Sequence, residues 1–130
     1  MKRPSGRLLG IVAALLCAAG MFFVVPACLR YSVAVHQRGV ARELAAWRTE
    51  YSSIESKADA MRTVEVLGYA QGYYLPAEGY RGTADSERQL AAERKATVRE
   101  LTGALRNYTG LDLGDDAAAW RSAIEGQRAD

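Results

Sequence analysis

The chain has 130 residues, which limits any folded part to one small domain and excludes a multi-domain enzyme. One histidine and two cysteines exclude His-rich metal centres and a disulfide scaffold. Net charge is +2, from 17 Lys and Arg against 15 Asp and Glu, a mildly basic balance that invites a nucleic-acid or acidic-membrane partner.

Position along the chain changes that reading. Leu8 to Leu29 reads LLGIVAALLCAAGMFFVVPACL, without a charge. An α-helix needs about 20 such residues to cross a ~30 Å hydrocarbon core, so a single-pass transmembrane helix is expected. Lys2, Arg3 and Arg7 precede the run and Arg30 follows it, where ionised groups belong. Without those four, 13 basic residues face 15 acidic ones. The remainder is slightly acidic, and nucleic acid is not an expected partner; the lipid bilayer is.

The run exceeds the 7–15 apolar residues usual in a secretory signal, which favours a retained anchor. Acylation at Cys28, after Val25-Pro26-Ala27, and cleavage as a signal are the alternatives. The purely basic leader places the N-terminus in the cytoplasm and the C-terminal domain outside it, in the cell membrane of a bacterial envelope with a periplasmic domain. Gly10, Ala14 and Ala18 recur at i, i+4 and i+8 and form a small-residue strip suited to a neighbouring span. Cys17 and Cys28 lie about three helical turns apart, too far to bridge, and read as small apolar residues. Pro26 can kink the outer end.

Val40, Leu44, Trp47, Tyr51, Ile54, Ala58 and Met61 follow alternating spacings of four and three. This heptad seam, which Val33 and Gln37 extend backwards, predicts one amphipathic helix over 31–67. It packs either on later helices of the chain or on a partner, a second copy included. Gly39 is a weak point in it. Residues 68–85 carry Gly68, Gly72, Gly79, Gly82 and Pro76 together with Tyr69, Tyr73, Tyr74 and Tyr80, and read as a long Gly/Tyr-rich loop. Tyrosines in such a loop either fold back on the helices or meet a partner or headgroups. The glycine spacing fits no phosphate-binding motif. Asp85 and Ser86, with Gln89, are positioned to cap a helix running to about Tyr108 with Val98, Leu101 and Leu105 on its apolar face. Gly110 stops it, and a turn leads to a short helix capped by Asp116 that carries Trp120 and Ile124.

Thr109, Gly110, Asp112, Gly114, Asp116 and Trp120 form a string that resembles the closing unit of bacterial HEAT-like repeat proteins. In that unit a helix ends in Thr-Gly, an Asp-x-Gly-x-Asp turn follows, and a Trp-bearing helix packs back. The resemblance covers about Ser86 to Ile124, and Ala123 stands where the family carries a second Trp. It implies a binding or scaffold element and no chemistry. One unit is too short for a solenoid.

His36 stands alone, both thiols lie in the span, and Asp112, Asp115 and Asp116 lack EF-hand spacing. No catalytic constellation, metal or cofactor is expected. The whole reads as all-α: a single N-terminal transmembrane helix (1–30), then a small helical extramembrane domain made of a long amphipathic helix (31–67), a Gly/Tyr-rich loop (68–85) and a helical pair (86–130). The expected function is non-enzymatic, as an accessory or structural subunit of a larger membrane complex of respiratory, photosynthetic or transport type. Other membrane protein subunits are the expected partners, met through Gly10, Ala14, Ala18, Val40, Leu44, Trp47, Tyr51, Tyr69, Tyr73, Tyr74 and Tyr80. A stand-alone envelope protein or lipoprotein with a ligand-binding loop, and a coiled-coil homodimer, are the alternatives.

Overall fold

A computed structural model describes residues 6–75 and 80–126, and within them the chain is all-helical, with no strand. The expectations placed on Lys2, Arg3, Pro76 and Gly79 lie outside the described residues. Four helices follow in order: α1 Gly6–Tyr51, α2 Lys57–Gly72, α3 Ala84–Thr109 and α4 Ala117–Gly126.

Helix α1 has two halves of opposite character. Its first half presents Leu8, Leu9, Ile11, Val12, Leu15, Leu16, Phe22 and Phe23 to the surroundings, and none of the other described residues covers them. The helix continues through Pro26, although that residue has no N–H to offer the Phe22 carbonyl. From Val33 onward a buried stripe begins: Val33, Ala34, Gln37, Val40, Ala41 and Leu44 recur at helical spacing on one face. One helix is thus apolar and uncovered first, then amphipathic and part of a core.

The helix expected over 31–67 does not form as one piece. It ends at Tyr51, and α2 begins at Lys57. The cause is local: Ser52, Ser53 and Ser56 offer the backbone competing hydrogen bonds. Ser56 sits at φ −140°, ψ 164° and its hydroxyl accepts from the Asp59 N–H at 3.1 Å. That hydroxyl also donates to the Asp59 carboxylate at 2.6 Å, which holds the carboxyl below its ordinary pKa. Thr63 donates to the Tyr51 carbonyl at 2.9 Å and ties the end of α1 to α2. The break resets the helical phase. Ala58 is therefore exposed and Met61 half-buried, while Ala60, Thr63, Val64, Leu67 and Ala70 form the buried stripe of α2.

The Gly/Tyr-rich segment also starts later than 68, because α2 runs on to Gly72. A Cβ on Gly68 would stand 3.4 Å from the Ala117 Cβ, so the glycine belongs to a close approach of α4. The carboxyl end of α2 has no basic residue in its last turn. Arg94 of α3 supplies the charge, donating to the carbonyls of Tyr73 at 2.7 Å and Tyr74 at 3.2 Å.

Helix α3 starts one turn earlier than Ser86 would place it. Thr83 is the N-cap, and Ser86 closes a capping box with it. Gln89 is exposed and takes no part. Gln37 meets Ser86 and Leu44 meets Thr97, so α3 runs in the same direction as α1; Tyr51 meets Thr63 and Glu43 meets Tyr73, so α2 runs against it. At the other end Gly110 stops α3 at φ +73°. Asp112 accepts from Arg106 at 2.8 Å and from the Gly114 N–H at 3.3 Å. The Arg106 guanidinium and that N–H hold its carboxyl below the ordinary range. Asp116 caps α4 by accepting from Ala118 and Ala119, as its position in the turn predicts. Trp120 is fully buried and donates its indole N–H to the Gly114 carbonyl at 2.8 Å.

The core is in two parts. Leu67, Val64, Leu101, Leu105, Trp120 and Ile124 fill one, and Val40, Leu44, Ala70 and Leu90 the other. Gly39 is helical, and a Cβ there meets nothing within 4 Å. Gly39→Ala should therefore raise the stability of the full chain by about 0.5–1 kcal/mol, read as a higher midpoint in detergent-solubilised thermal unfolding.

Candidate functional site

The structure sorts the expected partner-binding residues into four places. Gly10, Ala14 and Ala18 are exposed on the first half of α1, and no atom approaches a Cβ built on Gly10 within 4 Å. Val40 and Leu44 lie inside the chain's own core against Ala70 and Leu90. These two are occupied intramolecularly, because α3 runs alongside the seam and covers it. Tyr51 is half-buried against the other part of the core.

Trp47, Tyr69 and Tyr73 form an aromatic patch where α1 and α2 meet. Ring centroids stand 5.6 Å apart for Trp47 and Tyr69, 5.2 Å for Trp47 and Tyr73, and 5.0 Å for Tyr69 and Tyr73. Such tilted pairs are favourable beyond the area they bury. Tyr73 donates to the Glu43 carboxylate at 2.8 Å, which raises its phenol above the ordinary value, because ionisation would lose that hydrogen bond and set two anions together. Tyr69 remains 59% exposed and is the open edge of the patch.

The fourth place is the end of the domain nearest Arg30. Tyr74 stacks edge-on against His36, with centroids 4.7 Å apart. Tyr80 and Arg81 reach back to Pro26, Leu29, Arg30 and Val33 and enclose with them a cleft of about 370 Å³. Beside it, buried Ser86 donates to the buried Gln37 side chain at 2.6 Å. Gly82 passes over this pair so closely that a Cβ there would run into Gln37 Oε1 and stand 2.7 Å from Ser86 Oγ. An added methyl would push the buried Gln37 side chain aside and strain its hydrogen bond with Ser86. Gly82→Ala should cost about 1–3 kcal/mol, the opposite sign to Gly39→Ala in the same unfolding assay.

Neither the Gln37–Ser86–Gly82 contact nor the Arg30–Arg81 pair is marked in the sequence, since each joins residues about 50 positions apart with no shared motif. Their one sequence signal is Gln37, a polar residue at an apolar position of the seam. Among the described residues, no three His, Cys, Asp or Glu side chains are grouped closely enough to hold a metal ion.

No family model matches the chain, and no curated protein or solved structure matches it either.

Proposed function

We propose that this chain is a non-enzymatic, single-pass membrane protein that serves as an accessory or structural subunit of a larger membrane assembly. The observation that carries this reading is α1 itself. Its first half is long and apolar enough to cross a membrane and is covered by none of the other described residues, while its second half is woven into a folded helical domain. In water, that much uncovered apolar surface on one helix would drive aggregation; in a bilayer it is solvated. The basic leader supports a cytoplasmic N-terminus and an extracytoplasmic domain.

Two surfaces serve the partner. The Gly10–Ala14–Ala18 strip allows a second span to approach closely. The Trp47–Tyr69–Tyr73 patch offers a rigid aromatic anchor of the kind enriched in protein interfaces. The Gly110–Trp120 turn, with its resemblance to a HEAT-like closing unit, adds a scaffold element. The test is mild-detergent extraction from the native membrane, affinity capture of the full chain and mass spectrometry of what accompanies it. A defined set of membrane subunits, released by Tyr69→Ala, is expected. A chain that runs alone as a stable monomer overturns the subunit reading. An acylated Cys28 at the mature N-terminus, in place of Met1, replaces it with a lipoprotein.

A further inference from the structure

The cleft between the outer end of the apolar helix and the Tyr80–Arg81 segment combines apolar and cationic lining at the end of the uncharged run. One wall is apolar, made of Pro26, Leu29 and Val33. Two arginines, Arg30 and Arg81, from positions 51 apart, line the same cleft. Arg30 is the first charge after the uncharged run, so on the membrane-anchored reading, on which this inference rests, the cleft opens at headgroup depth. Exposed Tyr31, Leu75 and Tyr80 surround the same end of the domain, and tyrosines concentrate at that depth. An apolar wall directed along the span and cations above it are complementary to an amphiphile with a negative head.

We propose that this cleft binds one anionic phospholipid, its phosphate between Arg30 and Arg81 and its upper acyl chain along Leu29 and Pro26. Among the described residues Arg81 pairs with Glu87 alone, in a long, exposed contact of 3.4 Å, so a phosphate competes for it readily. Arginine is the side chain suited to the task, since its fork of donors meets phosphate oxygens two at a time. The bound lipid fixes the Tyr80–Arg81 segment against the span and holds the domain down on the bilayer.

The test uses the full chain in vesicles of equal parts phosphatidylcholine and phosphatidylglycerol with matched acyl chains, followed by native mass spectrometry of the extracted protein. One phosphatidylglycerol should be retained over phosphatidylcholine by roughly ten- to thirtyfold, the preference expected of two arginines near an anionic headgroup. R30Q/R81Q should lose that preference, and Glu87→Gln, which removes the competing charge, should retain at least as much as the unaltered chain. Arg7→Gln, on the far side of the span, should leave it unchanged. Equal retention of both lipids, a preference that survives in R30Q/R81Q, or a loss of preference in Glu87→Gln overturns the proposal. So does displacement by inorganic phosphate, which would assign the cleft to a free anion. A chain that fails to co-float with the vesicles overturns the membrane anchor as well, whereas co-flotation without lipid preference overturns the lipid site alone.

Discussion

Replacing Trp120 with alanine should lower the stability of the folded domain by about 3–5 kcal/mol, the largest effect of any single truncation in the chain. The side chain is fully buried among Ala60, Val64, Leu67, Leu101, Leu105 and Ile124 and belongs to the shortest helix, α4. A ten-residue helix has little stability of its own, so its docking depends on Trp120 and Ile124. The substitution also leaves the Gly114 carbonyl without the indole donor that fixes the turn. Total stability of a domain this size is of the order of 5–15 kcal/mol, so α4 should detach first. Hydrogen exchange on the full chain in detergent checks this: amides of α4 and of the facing residues of α2 should lose protection while the first half of α1 keeps its own. Unchanged protection in α4 would mean that the helix is held by something other than this side chain.

The second large effect concerns the span. The eleven Leu, Ile, Val and Phe residues from Leu8 to Leu29 favour insertion by roughly −3 to −7 kcal/mol in sum, and one arginine at mid-helix opposes it by about 2.5–3.5 kcal/mol. Leu16→Arg combined with Phe22→Arg, both near the middle of the run, opposes it by about 5–7 kcal/mol and should therefore move most of the chain from the alkali-resistant membrane fraction to the soluble or aggregated one. Leu16→Ile should stay where the unaltered protein is. Equal membrane retention of the arginine variant would show that residues 8–29 do not cross a bilayer.

Features that depend on nearby residues were legible in advance. The uncharged run from Leu8 to Leu29 needs only length and composition. The stop at Gly110 and the cap at Asp116 follow from short-range backbone chemistry, and the structure has both. The buried stripe through Val40 and Leu44 follows from spacing. Where the structure departs from a regular pattern, a local event shifts it. The serines at 52, 53 and 56 end one helix and start another, and the four-and-three spacing that continues through Ala58 and Met61 crosses that break by coincidence. Gly68 and Gly72 looked like loop residues but are helical, Gly68 because a neighbouring helix comes close. The tyrosines split according to tertiary surroundings: Tyr73 and Tyr74 lie over Trp47 and His36, and Tyr80 joins the Arg30 cleft. Contacts between positions about 50 apart, such as Gln37 with Ser86, leave no local trace.

The absence of a joint between the two halves of α1 sets a height. Trp47 lies 18 residues beyond Leu29 along one unbroken helix, about 27 Å at 1.5 Å per residue. In a chain anchored by residues 8–29, the aromatic patch is held at that distance along the helix axis from the edge of the hydrocarbon, like a signal on a fixed post. Rotating the span about its own axis turns the patch through the same angle. A span tilted by about 20°, the usual inclination, swings it sideways by roughly 9 Å. Any partner that packs on Gly10, Ala14 and Ala18 within the bilayer thereby also aims Tyr69 outside it, so the two contacts act as one lever rather than as separate attachments.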